Sequence, residues 1–246
     1  MAPQETEAEN VLNRACLDNQ AKLIRIGTDV TWRQKSFALE GQSCSIVGRN
    51  FNYEIFIPLL GSYQLENAAT AVAAIEALTD QGAKISYENL KQGLANVSWP
   101  GRLQVLGKHP WIVVDGAHNP YSIQKIREAL VEYFTYKRLF IIIGTSIDKN
   151  IAGIVKELLP LSPTVIVSAS QHPRATPPVR LAEEFARWGR SGEIAPSISA
   201  ALTRAQHLAT PSDLILVTGS LFVVAEALKT LQSKGEGGHN NATGNR

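Results

Sequence analysis

Four short apolar runs, each followed by a helical pattern, constrain this chain more than anything else in it. Residues 111–114, 139–143, 164–168 and 214–217 are rich in β-branched side chains and too short for helices. They read as strands buried on both faces. Helices are expected after them over 122–133, 151–159, 178–188 and 221–231, with one more over 197–208. Such alternation implies right-handed crossovers and a mostly parallel sheet with helices on both faces, a Rossmann-like α/β domain. Residues 103–106 add a candidate edge strand. No GxGxxG fingerprint occurs, which argues against a dinucleotide.

The strand ends share a polar or small character: Asp115-Gly-Ala-His118, Gly144-Thr-Ser146, Ser168-Ala-Ser170 and Thr218-Gly-Ser220. They should line one edge of the sheet, where strand ends meet helix starts and free N–H groups collect ligands. After Asp115, Asn119 is an N-cap candidate and Pro120 suits the first helical position. A carboxylate and an imidazole in that turn suit a ligand bearing hydroxyls and phosphates, such as a nucleotide. The plainer alternatives are a capping carboxylate, a surface histidine, and simple turn chemistry for the Gly, Ser and Thr residues.

The first hundred residues read differently. Residues 5–19 have a helical period, with Val11, Leu12 and Ala15 on one side, and suggest an ordinary packing helix. From 22 to 60 the pattern breaks into alternating pieces at 23–26, 36–39, 44–47 and 53–57, a small antiparallel or mixed β segment. An alanine-rich helix is expected over 63–78, suited to close packing against other helices, and another over 87–95. The turn Trp99-Pro-Gly101 marks a domain boundary. The expected division is therefore 1–99, 100–232 and a Gly- and Asn-rich tail, 233–246, that is disordered.

With 246 residues and 44% hydrophobic content the chain can build a substantial core. Its 24 basic and 22 acidic side chains leave a net charge of +2, so no global field points to nucleic acid or to acidic membranes. Cys16 and Cys44 lack metal-type spacing, no apolar run is long enough for a membrane span, and no signal peptide is evident. A cytoplasmic protein is expected.

Pro100-Gly-Arg102 followed by Asp115-Gly-Ala-His118-Asn-Pro120 resembles the folylpolyglutamate synthase and dihydrofolate synthase family of the Mur ligase superfamily. The stretch 59–71, the run His172-Pro-Arg174-Ala and the run Val217-Thr-Gly-Ser-Leu221 agree with it, in the family's order. The resemblance implies a C-terminal glutamate-ligase domain preceded by the remnant of a larger α/β ATP-binding domain. It implies ATP-binding roles for Asn67 near the base, Arg102 and His118 at the phosphates, and Asp115 at the ribose hydroxyls. It also implies substrate-side positions for Lys149, Arg174 and Ser220. From composition alone Asn67 would face solvent and Arg102 would be a surface arginine. Many relatives have His-Gln where this chain has Tyr63-Gln64.

The activity the resemblance implies begins when a folate-type carboxylate attacks the γ-phosphate of ATP to form an acyl phosphate. The amine of L-glutamate then displaces phosphate and leaves an amide. Such chemistry needs a P-loop and Mg²⁺. No GxxxxGK[ST] occurs in these residues, and no metal ligands are assigned among them. The expectation is a C-terminal portion, inactive unless a missing N-terminal half or a separate P-loop chain is supplied. ATP, Mg²⁺, L-glutamate and folate or dihydropteroate are the implied ligands, with no nucleic acid or membrane partner. The alternatives are a non-catalytic nucleotide- or folate-binding module, a partner subunit, or another Mur-type ligase.

Overall fold

The structure, a computed structural model, describes residues 1–237. The chain divides into two compact units, one spanning Met1–Trp99 and one beginning at Pro100.

In the first unit, α1 (Thr6–Asp18) precedes three strands, β1 (Thr31–Ala38), β2 (Gly41–Val47) and β3 (Asn52–Ile57), and two helices, α2 (Tyr63–Asp80) and α3 (Tyr87–Ala95). The strands form an antiparallel sheet in that order. Alternation puts Cys44, Ile46, Tyr53, Ile55 and Ile57 on one face, where they pack against Leu65, Ala68, Ala69, Val72 and Ala73 of α2 and Leu90 of α3. The alanines thus let α2 approach a sheet as well as a helix. Two expectations need correction. The run 23–26 is no strand: Ile24 and Ile26 bond to the backbone of Met1, and Gly27, at φ +97°, turns the chain into an isolated bridge between Ile26 and Val30. Helix α1 is not a packing helix among the described residues, since none of its residues is buried and Val11 and Leu17 are 65% and 75% exposed. Polar contacts hold it instead, with Arg25 donating to Asn13 and pairing with Glu9.

The second unit contains β4 (Gln104–Lys108), β5 (Trp111–Val114), α4 (Pro120–Tyr133), β6 (Leu139–Ile143), α5 (Ile151–Leu158), β7 (Thr164–Val167), α6 (Pro178–Arg187), β8 (Gly192–Ile194), α7 (Ile198–Leu208), β9 (Leu214–Thr218) and α8 (Leu221–Gly237). Its six-stranded sheet has the order β4-β5-β9-β6-β7-β8, with only β4 antiparallel. One sheet face, carrying Ile112, Val114, Phe140, Ile142, Ile166, Ile215 and Val217, is covered by α7 and α8. The other face is left to α4, α5 and α6, which pack side by side. The mostly parallel sheet with helices on both faces is the expected architecture. Strand β8 was not anticipated because Gly192–Ile194 is too short to show a period. Helix α8 carries residues 233–237, which the composition assigns to the disordered tail; a helix already packed through Val223, Val224 and Ala227 continues past the last periodic apolar residue. The rest of that expected tail lies outside the described residues.

Candidate functional site

The sheet order creates the site. From β5 the chain crosses over β9 to β6, moves outward to β8, and returns to β9 between β5 and β6. The helices after β5 and β6 lie on one face and α8, after β9, on the other, so the loops at these strand ends diverge and leave a crevice. Backbone bonds lace the rim together. Asp115 N donates to Val217 O at 3.0 Å, Gly219 N to Ala117 O at 2.9 Å, and Gly116 N to Gly101 O at 2.9 Å. Gly144 N donates to Thr218 O at 3.3 Å and Thr176 N to Thr145 O at 2.8 Å. The four polar strand ends expected to share one edge do so.

Asp115 follows β5 directly and is 2% exposed. Its Oδ2 accepts the Leu103 N–H at 2.7 Å and its Oδ1 the Ala117 N–H at 2.8 Å. His118, half-buried, bonds through Nδ1 to Gly116 O at 2.9 Å. A carbonyl can only accept, so Nδ1 carries the proton and Nε2 is turned away from the turn's backbone. Asn119 then caps α4: its side chain accepts the Ser122 N–H at 2.8 Å, while the Ser122 hydroxyl accepts the Asn119 N–H at 3.2 Å. Pro120 sits at the first helical position, where its place after Asn119 puts it. Arg102, half-buried, lies in the bend just before β4.

The residues expected on the substrate side, Lys149, Arg174 and Ser220, lie in the loops after neighbouring strand ends. Lys149 pairs with Asp148 at 3.0 Å. Hydrogen bonding to Lys149, with the Arg174 charge nearby, holds the Asp148 carboxyl below the ordinary value. Arg174 is exposed; its backbone N–H donates to His172 Nδ1 at 3.1 Å and its carbonyl accepts from Ile147 N at 2.9 Å. Ser220 is buried and its Oγ accepts the Phe222 N–H at 3.2 Å, capping α8. Phe222 itself escaped the sequence reading. Its ring stacks on His172 at 3.8 Å and pins the His172-Pro-Arg174 loop to α8, a contact between residues fifty positions apart that no local pattern announces.

Asn67 belongs to the first unit. It lies exposed in the first turns of α2, with Nδ2 donating to Oε1 of the buried Gln64 at 3.0 Å. Among the described residues no group of His, Cys, Asp and Glu side chains could hold a metal ion, so the implied Mg²⁺ finds no ligand set here. No helix of the described residues is long and apolar enough to cross a membrane.

Residues 101–221 match the family model for the Mur ligase, glutamate ligase domain. That segment is a Mur ligase glutamate ligase domain. Beyond it, the chain is 38% identical over 178 residues to a probable bifunctional folylpolyglutamate synthase/dihydropteroate synthase of Haloferax volcanii, which covers 72% of this chain and 21% of that protein. It is 28% identical over 180 residues to the dihydrofolate synthase/folylpolyglutamate synthase of Bacillus subtilis, covering 73% of this chain and 41% of the relative. In structure it superposes on the Mycobacterium tuberculosis folylpolyglutamate synthase complexed with ADP with a TM-score of 0.86 at 26% identity, over 93% of this chain and 53% of that one. The chain therefore spans about half or less of the length of these relatives.

Proposed function

We propose that this Mur-type chain is the C-terminal part of an ATP-dependent carboxylate–amine ligase that adds L-glutamate to folate or dihydropteroate. In the proposed reaction a carboxylate oxygen of the acceptor attacks the γ-phosphorus of ATP. The bond to the β,γ-bridging oxygen breaks and ADP leaves. The glutamate amine then attacks the acyl carbon, inorganic phosphate departs, and the ammonium-derived proton goes to a base or to solvent. Mg²⁺ would neutralise the phosphates during the first step; its ligands are not found among the described residues. The residues named here bind and orient. Asp115 accepts from the ribose hydroxyls, Arg102 donates to phosphate oxygens, His118 approaches the phosphates, and Asn67 meets the base. Lys149, Arg174 and Ser220 suit the carboxylates of an incoming amino acid. A cytoplasmic location fits the free Cys16 and Cys44.

The observation carrying this reading is the arrangement of Asp115 and His118 in one turn at the crevice between strand ends, in a domain whose relatives are named as such ligases. Titration of the isotope-labelled chain with ADP tests it. The amides of residues 115–119 should shift, and Arg102→Ala and His118→Ala should each weaken binding several-fold. Shifts confined to other regions, or affinities unchanged in both variants, would sink the assignment.

A further inference from the structure

Asn67 does not stand alone in α2. Its Nδ2 donates to Oε1 of Gln64, one helical turn earlier, at 3.0 Å, and Gln64 is only 6% exposed. The backbone of Gln64 is fixed from below. Gln42, a buried residue of β2, donates through Nε2 to both Leu59 O and Gly61 O at 2.8 Å. The same Gly61 carbonyl accepts the Gln64 N–H at 2.9 Å. Gly61 has φ +96°, a conformation that a side chain disfavours, so this turn is tied to the sheet at one point. A relay of amides thus runs from β2 through Gly61 and Gln64 to Asn67.

The relay matters because of what an asparagine amide can read. Its oxygen and one N–H lie along one edge, and a half-turn about the last side-chain bond exchanges them. A bond to the carbonyl oxygen of Gln64 requires nitrogen on that side and so selects one of the two orientations. An amide nitrogen has two hydrogens, and this bond uses one. The other, with Oδ1, makes a donor–acceptor pair that matches N7 and the N6 amino group of adenine. Guanine offers O6 and N7, two acceptors, and would set O6 against Oδ1. An amide free to turn could relieve that repulsion by presenting its N–H to O6.

From this geometry we infer that Gln64 is a positioning residue that sets base specificity, holding the Asn67 amide in the orientation that accepts adenine and rejects guanine. The inference rests on the reading above that Asn67 meets the nucleotide base. The test is a set of ADP and GDP titrations of the full chain, as wild type, Asn67→Ala, Gln64→Met and Gln64→Glu, each with its melting temperature. Gln64→Met keeps the side-chain length without the acceptor oxygen; Gln64→Glu keeps the oxygen. The wild type should prefer ADP, Gln64→Met should lose about tenfold of the ADP-over-GDP preference, and Gln64→Glu should keep it. An unchanged ratio in Gln64→Met overturns the inference. So does an equal loss for both nucleotides, or a loss that Gln64→Glu does not restore, since a merely structural glutamine would give those results. If the wild type does not bind ADP, or Asn67→Ala binds it equally well, the base-contact reading falls and this inference with it.

Discussion

The Asp115 carboxylate accepts the backbone N–H of Leu103, and Leu103, a buried leucine, has φ +40°. The side chain proposed to meet a ribose therefore also holds a strained bend at the entrance to β4. Replacing it removes acceptors from two buried N–H groups at once. Asp115→Ala should lower the unfolding free energy by about 2–4 kcal/mol, measured by urea denaturation. A loss of nucleotide binding in that variant is interpretable only beside this stability measurement.

Two glycines with left-handed backbone should respond very differently to alanine. At Gly219, φ +100°, an added Cβ would sit 2.5 Å from the Gly144 carbonyl oxygen. At Gly189, φ +69°, it would meet nothing within 4 Å. Conformational strain is common to both, and the backbone collision belongs only to the first. Gly189→Ala should cost about 1 kcal/mol. Gly219→Ala should cost at least about 3 kcal/mol, or abolish folding of the second unit. Paired denaturation curves check the difference.

Asp213 is buried between the starts of β6 and β9. It accepts two bonds from the Arg138 side chain, at 3.2 and 2.7 Å through Oδ2, and the Thr210 N–H at 2.7 Å. Hydrogen bonding to Arg138, reinforced by Thr210, depresses its carboxyl far below the ordinary value. Because the folded pKa lies below the unfolded one, its contribution to stability is complete above the unfolded value. It is lost as the pH falls below about 4. The midpoint of acid unfolding should move to higher pH in Arg138→Met, and part of the drop in wild-type stability below that pH should be absent. Identical acid profiles would contradict this.

Burial and the nearby Glu54 charge push the Cys44 thiol up to about 11, and its side chain is fully enclosed against α2. Only thiolate attacks alkylating reagents at an appreciable rate. At pH 8 the folded chain should take up one iodoacetamide quickly, at the partly exposed Cys16, and the second only in denaturant. Mass spectrometry after short labelling reads the outcome.

Much of the second unit could be read in advance because β-branched runs such as Leu139–Ile143 admit few interpretations, and the Asn119-Pro120 pair marks a helix start by its own chemistry. The polar loops were legible as one edge for the same reason: parallel strands deliver their ends to one side. What escaped depends on partners distant in the chain. The stack of His172 on Phe222, the relay from Gln42 to Asn67 and the Leu103 bend have no local periodicity. The helical period of α1 was correct, but period alone does not say whether another element covers the apolar side.

Strands β6 and β9 are adjacent, and all five residues of each are buried. Amide protons there should be among the slowest in the unit to exchange with deuterated solvent, requiring its cooperative opening. The Gly144–Ser146 and Thr218–Ser220 loops thus grow from its most persistent scaffold, and can adjust around a ligand while their roots stay fixed.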